Sequence, residues 1–205
     1  MSVLLSPSAQ KLRFTLFAPF YDSFVRMEGP RRRSLDRLAL RSGERVLLVG
    51  AGTGADLPLL PPGVRAVATD VTPAMLARAR GKARGDVRFA VMDAMDLDLP
   101  DAAFDAAILH LILTLLPDPA RCLAETARVV RPGGRIAVLD KFLPENGSAG
   151  LLRRVVNAGT RVLATDINLR VGDIVRDSRA PLRIAHDEPA AFAGLVRSVL
   201  LRREG

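Results

Sequence analysis

The sequence predicts an α/β protein built on a doubly wound, mostly parallel sheet, and three observations carry that prediction. Apolar, β-rich runs recur at 45–49, 66–69, 87–91, 106–109 and 135–139. Helix-like segments at 73–83 and 119–130 fall between them. The first run passes directly into "GAGTG", with Gly50, Gly52 and Gly54 on alternate positions. Strands that alternate with helices build a parallel sheet wrapped on both faces, because each crossover helix must return over the sheet.

Taken in order, the elements justify themselves locally. Residues 7–40 read as a helical annex, broken at Pro19 and around "GPRRR", with Leu12, Leu16 and Phe17 at helical spacing and then Phe20, Phe24 and Val25. "RVLLV" is short, branched and continuous, as a strand buried on both faces requires. The glycine turn leads into "ADLPLL", read as the opening of a helix. "AVAT" ends at Asp70, and "DVTPAM" places Thr72 as a cap ahead of Pro73, a residue suited to the first helical position. The strand 106–109 ends at His110, and the helix 119–130 is closed by "RPGG". Residues 148–180 form a basic, helix-like insertion. The runs 182–186 and 195–202 lie close enough in sequence to form an antiparallel pair at the sheet edge. With no repeat, low-complexity tract or linker, 1–205 reads as one domain, divided into the annex 1–40, a core 41–147, the insertion 148–180 and the strand pair 181–205.

The 205 residues suffice for a sizeable core without staples. The single cysteine, Cys122, excludes an internal disulfide, and two histidines exclude a histidine-rich metal site, so no metal is expected. No apolar run reaches the roughly 18 residues of a membrane span, and "MSVLLSPSAQ" lacks the pattern of a signal peptide, so a cytoplasmic protein is expected. The net charge of +8 points to an anionic partner or surface. Only three of the 30 basic residues are lysine, a bias that a GC-rich genome also explains. Nine aromatics with no basic-aromatic strand, and "LHLILT" after the fourth run in place of an "NPPY"-type motif, argue against nucleic acid.

The glycine turn follows a strand, the context in which bare backbone lets a nucleotide cofactor approach. The spacing G-x-G-x-G has Leu57 where a dinucleotide fingerprint has its third glycine, which favours a nucleoside ligand without phosphates. Asp70, 20 residues after Gly50, is placed to accept hydrogen bonds from ribose hydroxyls, although an Asp at a strand end also serves as a helix cap.

"VLLVGAGTG", "ATDVTPAMLARAR", "VMDAMDLDLPDAAFD" and "RVVRPGGRIAVLD" together resemble the successive motifs of class I S-adenosylmethionine-dependent methyltransferases, over about residues 45–140. The resemblance implies a Rossmann-like, seven-stranded sheet whose last strand is antiparallel, and S-adenosylmethionine as cofactor with S-adenosylhomocysteine as product. It implies that the methionine part lies over Gly50, Ala51, Gly52 and Gly54, and the ribose on Asp70. Adenine would lie beside Asp93, Ala94 and Met95, with apolar contacts from Val71 and Met75. Many members carry an acid where this chain has Leu48.

Methyl transfer from a sulfonium needs alignment and exclusion of water more than a strong base. His110, at the end of the fourth strand, is where such a fold places residues facing the transferred methyl; the alternative is a histidine satisfied within an apolar segment. "FYD" at 20–22 and "HLILTLLPDP" at 110–119 resemble small bacterial phosphatidylethanolamine N-methyltransferases, and the "YD" also resembles ubiquinone and menaquinone C-methyltransferases. Either resemblance puts Tyr21 near cofactor and acceptor, and the acceptor is a lipid or a small molecule. The basic amphipathic annex suits an anionic membrane surface or a lid over the site. Arg31–Arg33 would add attraction to phosphate headgroups, or else be solvated. The second annex, with Arg153, Arg154, Arg161 and Arg170 among Leu and Val, suits a lipid phosphate or an ordinary outer helix. A non-catalytic protein that binds the same cofactor is the third reading.

Overall fold

The computed structural model describes residues 27–143 and 169–205. They form helix α1 (Glu28–Leu38), strands β1 (Arg45–Leu48) and β2 (Arg65–Asp70), helix α2 (Pro73–Arg80), strands β3 (Asp86–Val91) and β4 (Phe104–His110), helix α3 (Pro119–Val129), strand β5 (Val130–Lys141), helix α4 (Val171–Ser178), and strands β6 (Leu182–Ala191) and β7 (Val196–Arg203). The seven strands make one sheet in the order β3-β2-β1-β4-β5-β7-β6. β1 to β5 are parallel, and β7 lies antiparallel between β5 and β6. The expected seven-stranded sheet with an antiparallel last strand is the observed one, and β6 forms its edge.

Two-residue alternation in the strands feeds two cores. Val46 and Leu48 point to one face with Ala66, Ala68 and Ile108, where they meet Leu35 and Leu38 of α1 and Ala79 of α2. Leu47, Leu109, Val138 and Leu201 point to the other, where Leu123 and Val129 of α3 and Val171 and Ile174 of α4 cover them. Leu48 is fully part of this packing at 1% exposure, so an acid there would be buried in hydrocarbon.

Several local expectations are corrected. The chain does not break at "GPRRR": α1 runs straight through it. Pro30 is the third residue of the helix, within the first turn, where backbone N–H groups have no intrahelical partner to lose. Arg31 N–H makes the first i→i−4 bond, to Met27 at 2.9 Å. The glycine turn opens no α-helix; turns lead into a single 3₁₀ turn at Leu57–Leu59. Pro58, Pro61 and Pro62 explain this, since each removes a donor that an α-helix needs. Helix α2 stops at Arg80, short of 83. The "RPGG" that was expected to separate helix from strand lies inside β5, where the register with β4 shifts between Phe104 and Ala106.

The two annexes fall largely outside the described residues: 7–26 and 148–168 with Tyr21, Arg153, Arg154 and Arg161. The described part of the second annex includes α4, whose Arg176 is paired with Asp173 and Asp177 of the same helix. Leu143 N–H donates to Leu169 C=O at 2.9 Å, so the chain leaves and re-enters the fold at one place.

Candidate active site

Because β1 to β5 are parallel and neighbouring strands β1 and β4 send their connections in opposite directions, a crevice forms at their carboxyl ends, the usual binding place of an open α/β sheet. The turns after β1, β2 and β3 meet there, each with an expected site residue, and β4 ends beside them at His110.

The glycine turn is stitched to its neighbours by backbone bonds from Val49 N–H to Ile108 and from Ala51 N–H to Thr69, at 3.0 and 2.8 Å. All three glycines have positive φ, but for different ends. A Cβ on Gly50 would stand 2.3 Å from Ile112 Cδ1, and one on Gly54 2.9 Å from Ala79 Cβ. A Cβ on Gly52 would meet nothing within 4 Å. Gly50 and Gly54 therefore permit packing inside the protein, whereas Gly52 presents bare backbone to open space.

Asp70 braces that turn. Its Oδ2 accepts Gly52 N–H at 2.9 Å and its Oδ1 accepts Thr72 N–H at 2.8 Å. Each oxygen keeps lone-pair capacity for a further donor. Thr72 itself makes no side-chain cap; Asp70 instead holds the N–H of Thr72, the residue just ahead of α2. Val71, beside it, is 67% exposed, a value that stands out for an apolar residue against a concave turn. Met75 is half-buried on α2. At the end of β3, Asp93 Oδ1 accepts Met95 N–H at 2.8 Å while Ala94 is buried beneath. Asp93 Oδ2 has no hydrogen bond among the described residues, and can accept from an exocyclic amine.

The expectation for His110 is corrected. Its side chain is 0% exposed, with Nδ1 2.8 Å from Asp56 Oδ1 and Nε2 3.0 Å from Ser34 Oγ. With both ring nitrogens engaged inside the protein, His110 takes the alternative arrangement, a histidine satisfied within an apolar segment. A carboxylate only accepts, so Nδ1 carries a proton. Arg31 is corrected too. It is 4% exposed, and its guanidinium meets Asp56 Oδ2 at 2.6 Å, so it serves no headgroup. Burial alone would raise the Asp56 pKa, but the charges and hydrogen bonds of His110 and Arg31 outweigh it and hold the carboxyl well below the usual carboxylate range. Of the triplet, Arg32 reaches Glu28 at 3.5 Å and Arg33 donates to Ala190 C=O at 3.1 Å.

Ser34 and Asp56 have no place among the expected site residues. The available signal is periodicity: Arg31, Ser34, Leu35 and Leu38 share the buried face of α1, and two polar residues on such a face call for a buried partner.

Beyond β4, Leu111 adopts a left-handed φ of 61°, a strained value for a leucine that turns the chain over the crevice. Thr114 in that turn donates N–H and Oγ–H to buried Asp140, at 3.2 and 2.7 Å. Lys141 follows at the end of β5, its pKa pushed down by burial against the raising effect of Asp140.

This geometry fits a nucleoside cofactor: an open space over Gly52, acceptors at Asp70 and Asp93, and an exposed apolar Val71. Comparison with known proteins agrees. Residues 47–138 match the methyltransferase domain family. The chain is 32% identical over 181 residues to the phosphatidylethanolamine N-methyltransferase of Cereibacter sphaeroides, covering 86% of this chain and 88% of that one. It is 39% identical over 155 residues to a demethylmenaquinone methyltransferase of Thermus thermophilus, covering 69% and 70%. The structure of the YcgJ protein from Bacillus subtilis superposes with a TM-score of 0.68 at 19% identity, over 86% of this chain and 99% of that one, a likeness of fold.

Proposed function

We propose that this chain, which belongs to the class I S-adenosylmethionine-dependent methyltransferases, methylates the amine of an aminophospholipid headgroup at a membrane surface. The cofactor supplies an activated methyl on a sulfonium. The chain's own part is to bind, align and keep water out. In this reading the backbone of Gly50, Ala51, Gly52 and Gly54 cradles the methionine part, Asp70 accepts from the ribose, and Asp93 accepts from the adenine amine. Val71, Met75, Ala94 and Met95 supply the apolar walls. Tyr21, outside the described residues, is proposed to contact the acceptor.

The observation that carries the lipid reading is the extent of the likeness to the phosphatidylethanolamine N-methyltransferase, 86% of this chain against 69% for the demethylmenaquinone methyltransferase. Charge supports it. Arg78, Arg80, Lys82, Arg84 and Arg88 are all exposed on α2, β3 and the turn between them, with only Asp86 to oppose them. Among the described residues none of the five makes an ion pair; Arg80 lies over the Phe89 ring and Lys82 donates to Thr53 Oγ1. Each basic residue near an anionic leaflet contributes about 1 kcal/mol, screened by salt. No described helix is long and apolar enough to cross a membrane.

The test is incubation with methyl-labelled S-adenosylmethionine and phosphatidylethanolamine vesicles containing an anionic lipid. Label in the lipid is expected, with a rate that rises with pH, because nitrogen attacks only as the free amine. Binding to the vesicles is expected to weaken as salt rises. The second reading, methylation of a quinone precursor, has the higher local identity in its favour. It predicts label in a demethylmenaquinone substrate and none in phosphatidylethanolamine.

A further inference from the structure

We propose that Arg31, Ser34, Asp56 and His110 form a positioning network through which the docking of α1 and the cofactor-ready shape of the glycine turn stabilise each other. Three segments meet in it. Arg31 and Ser34 come from one face of α1, Asp56 lies two residues beyond Gly54, and His110 ends β4. The bonds run Arg31 to Asp56 at 2.6 Å, His110 to Asp56 at 2.8 Å, and Ser34 to His110 at 3.0 Å.

The network sits where it can act on both walls of the crevice. On one side, Asp56 continues from the turn that presents Gly52 to open space. On the other, His110 is followed by left-handed Leu111 and by Ile112, whose side chain fills the room beside Gly50. Asp56 is a buried carboxylate, tolerated only while opposite charge and donors surround it. If α1 lifts away, Asp56 loses Arg31 and His110 loses Ser34. The carboxylate then gains by turning to water, which pulls on the chain beyond Gly54. Local release of one helix is the kind of low-energy opening through which two sites become coupled. A ligand that holds the turn in its closed form must therefore also hold α1 down, and by linkage anything that holds α1 down tightens that ligand. All four residues are buried, so their effect on the cofactor passes through the turn.

The inference rests on the cofactor reading, and the experiment keeps the two apart. S-Adenosylhomocysteine affinity is measured by calorimetry on the full chain, beside thermal unfolding and amide exchange. Wild type tests the cofactor reading: absence of binding refutes it and this proposal with it. Ser34→Ala and His110→Asn test the network, the asparagine keeping a donor towards Asp56 while losing the bond to Ser34. Each is expected to weaken binding about five- to tenfold, within the usual range of coupling between sites. The double variant is expected to be no weaker than either single one, since both cut the same link. Leu35→Ala, on the same helix face but outside the network, is the control. It is expected to lower the unfolding temperature at least as much without matching the loss of affinity. Ligand is expected to slow amide exchange in residues 31–38 of wild type, and to slow it less in Ser34→Ala. If affinity simply follows unfolding temperature across all the variants, or if ligand leaves exchange in α1 unchanged, the proposal is overturned.

Discussion

Asp70 holds the amide of Gly52 at 2.9 Å, and so a carboxylate at the end of β2 sets the shape of a turn that follows β1. The same carboxylate also takes Thr72 N–H. One residue thus braces the glycine turn and keeps acceptor capacity on both oxygens, which ties the proposed ribose contact to the fold that builds the turn.

Asp70→Ala is therefore expected to weaken S-adenosylmethionine binding by two routes, loss of ribose acceptors and loss of the brace. Hydrogen bonds to a charged group contribute about 1.5–3 kcal/mol, a ten- to hundredfold change in affinity. Calorimetry on the folded variant checks this, and unchanged affinity would remove Asp70 from the site.

The glycines separate packing from binding. Gly52→Ala has room in the protein but must hold a left-handed φ, at a cost of about 1–2 kcal/mol. Its methyl enters the open space, so cofactor affinity is expected to fall by more than stability does. Gly50→Ala also collides with Ile112, which adds roughly 1–3 kcal/mol of overpacking. Unfolding temperature is expected to fall further for Gly50→Ala, and the reverse ranking would contradict the assignment.

Stability should fall in acid through Asp56. Its folded pKa is held below the value of about 4 that it has when unfolded, so the unfolded state binds the extra proton first. The contribution is complete above pH of about 4 and is lost progressively as pH falls below that, towards the folded pKa. Asp56→Asn is expected to be less stable near neutrality, by up to about 3–5 kcal/mol, because the buried contacts of Asp56 with Arg31 and His110 lose their charge. It should also show a flatter loss of unfolding temperature below pH of about 4, and parallel pH curves for the two proteins would count against the assignment.

Cys122 is expected to be inert while the protein is folded. Burial pushes its thiol up to about 12, with smaller effects from Thr126, Asp93, Asp118 and Glu125. Only the thiolate reacts, so alkylation should proceed no faster than unfolding, and should speed up in denaturant. Rapid labelling under native conditions would show that α3 opens far more easily than its packing implies.

The residues proposed for the cofactor site are readable because they sit at strand ends, and strand ends are local events. A run such as "RVLLV" stopped by glycine, or "AVAT" stopped by aspartate, fixes both an element and its terminus within a few residues. The helix boundaries were less so. Proline in "GPRRR" reads as a breaker, yet at the third position of α1 it costs no bond, and only the identity of the preceding helix start decides which applies. The three prolines of 58–62 had the opposite effect and left a 3₁₀ turn where a helix was expected.

What the sequence determined by itself is the class of fold and the parallel order of alternating elements, and it marked the strand-end acceptors Asp70 and Asp93, because hydrophobic periodicity and turn chemistry act over neighbouring residues. The roles of Arg31 and His110 were decided only by tertiary structure. Their partners lie 25 and 54 positions away at Asp56, and Ser34 lies 76 from His110. An arginine beside two others reads as surface charge, and a histidine at a strand end reads as a catalytic group, until the fold removes water from both. Burial then makes each side chain seek the one opposite charge or donor within reach, and that choice depends on which strand lies beside which.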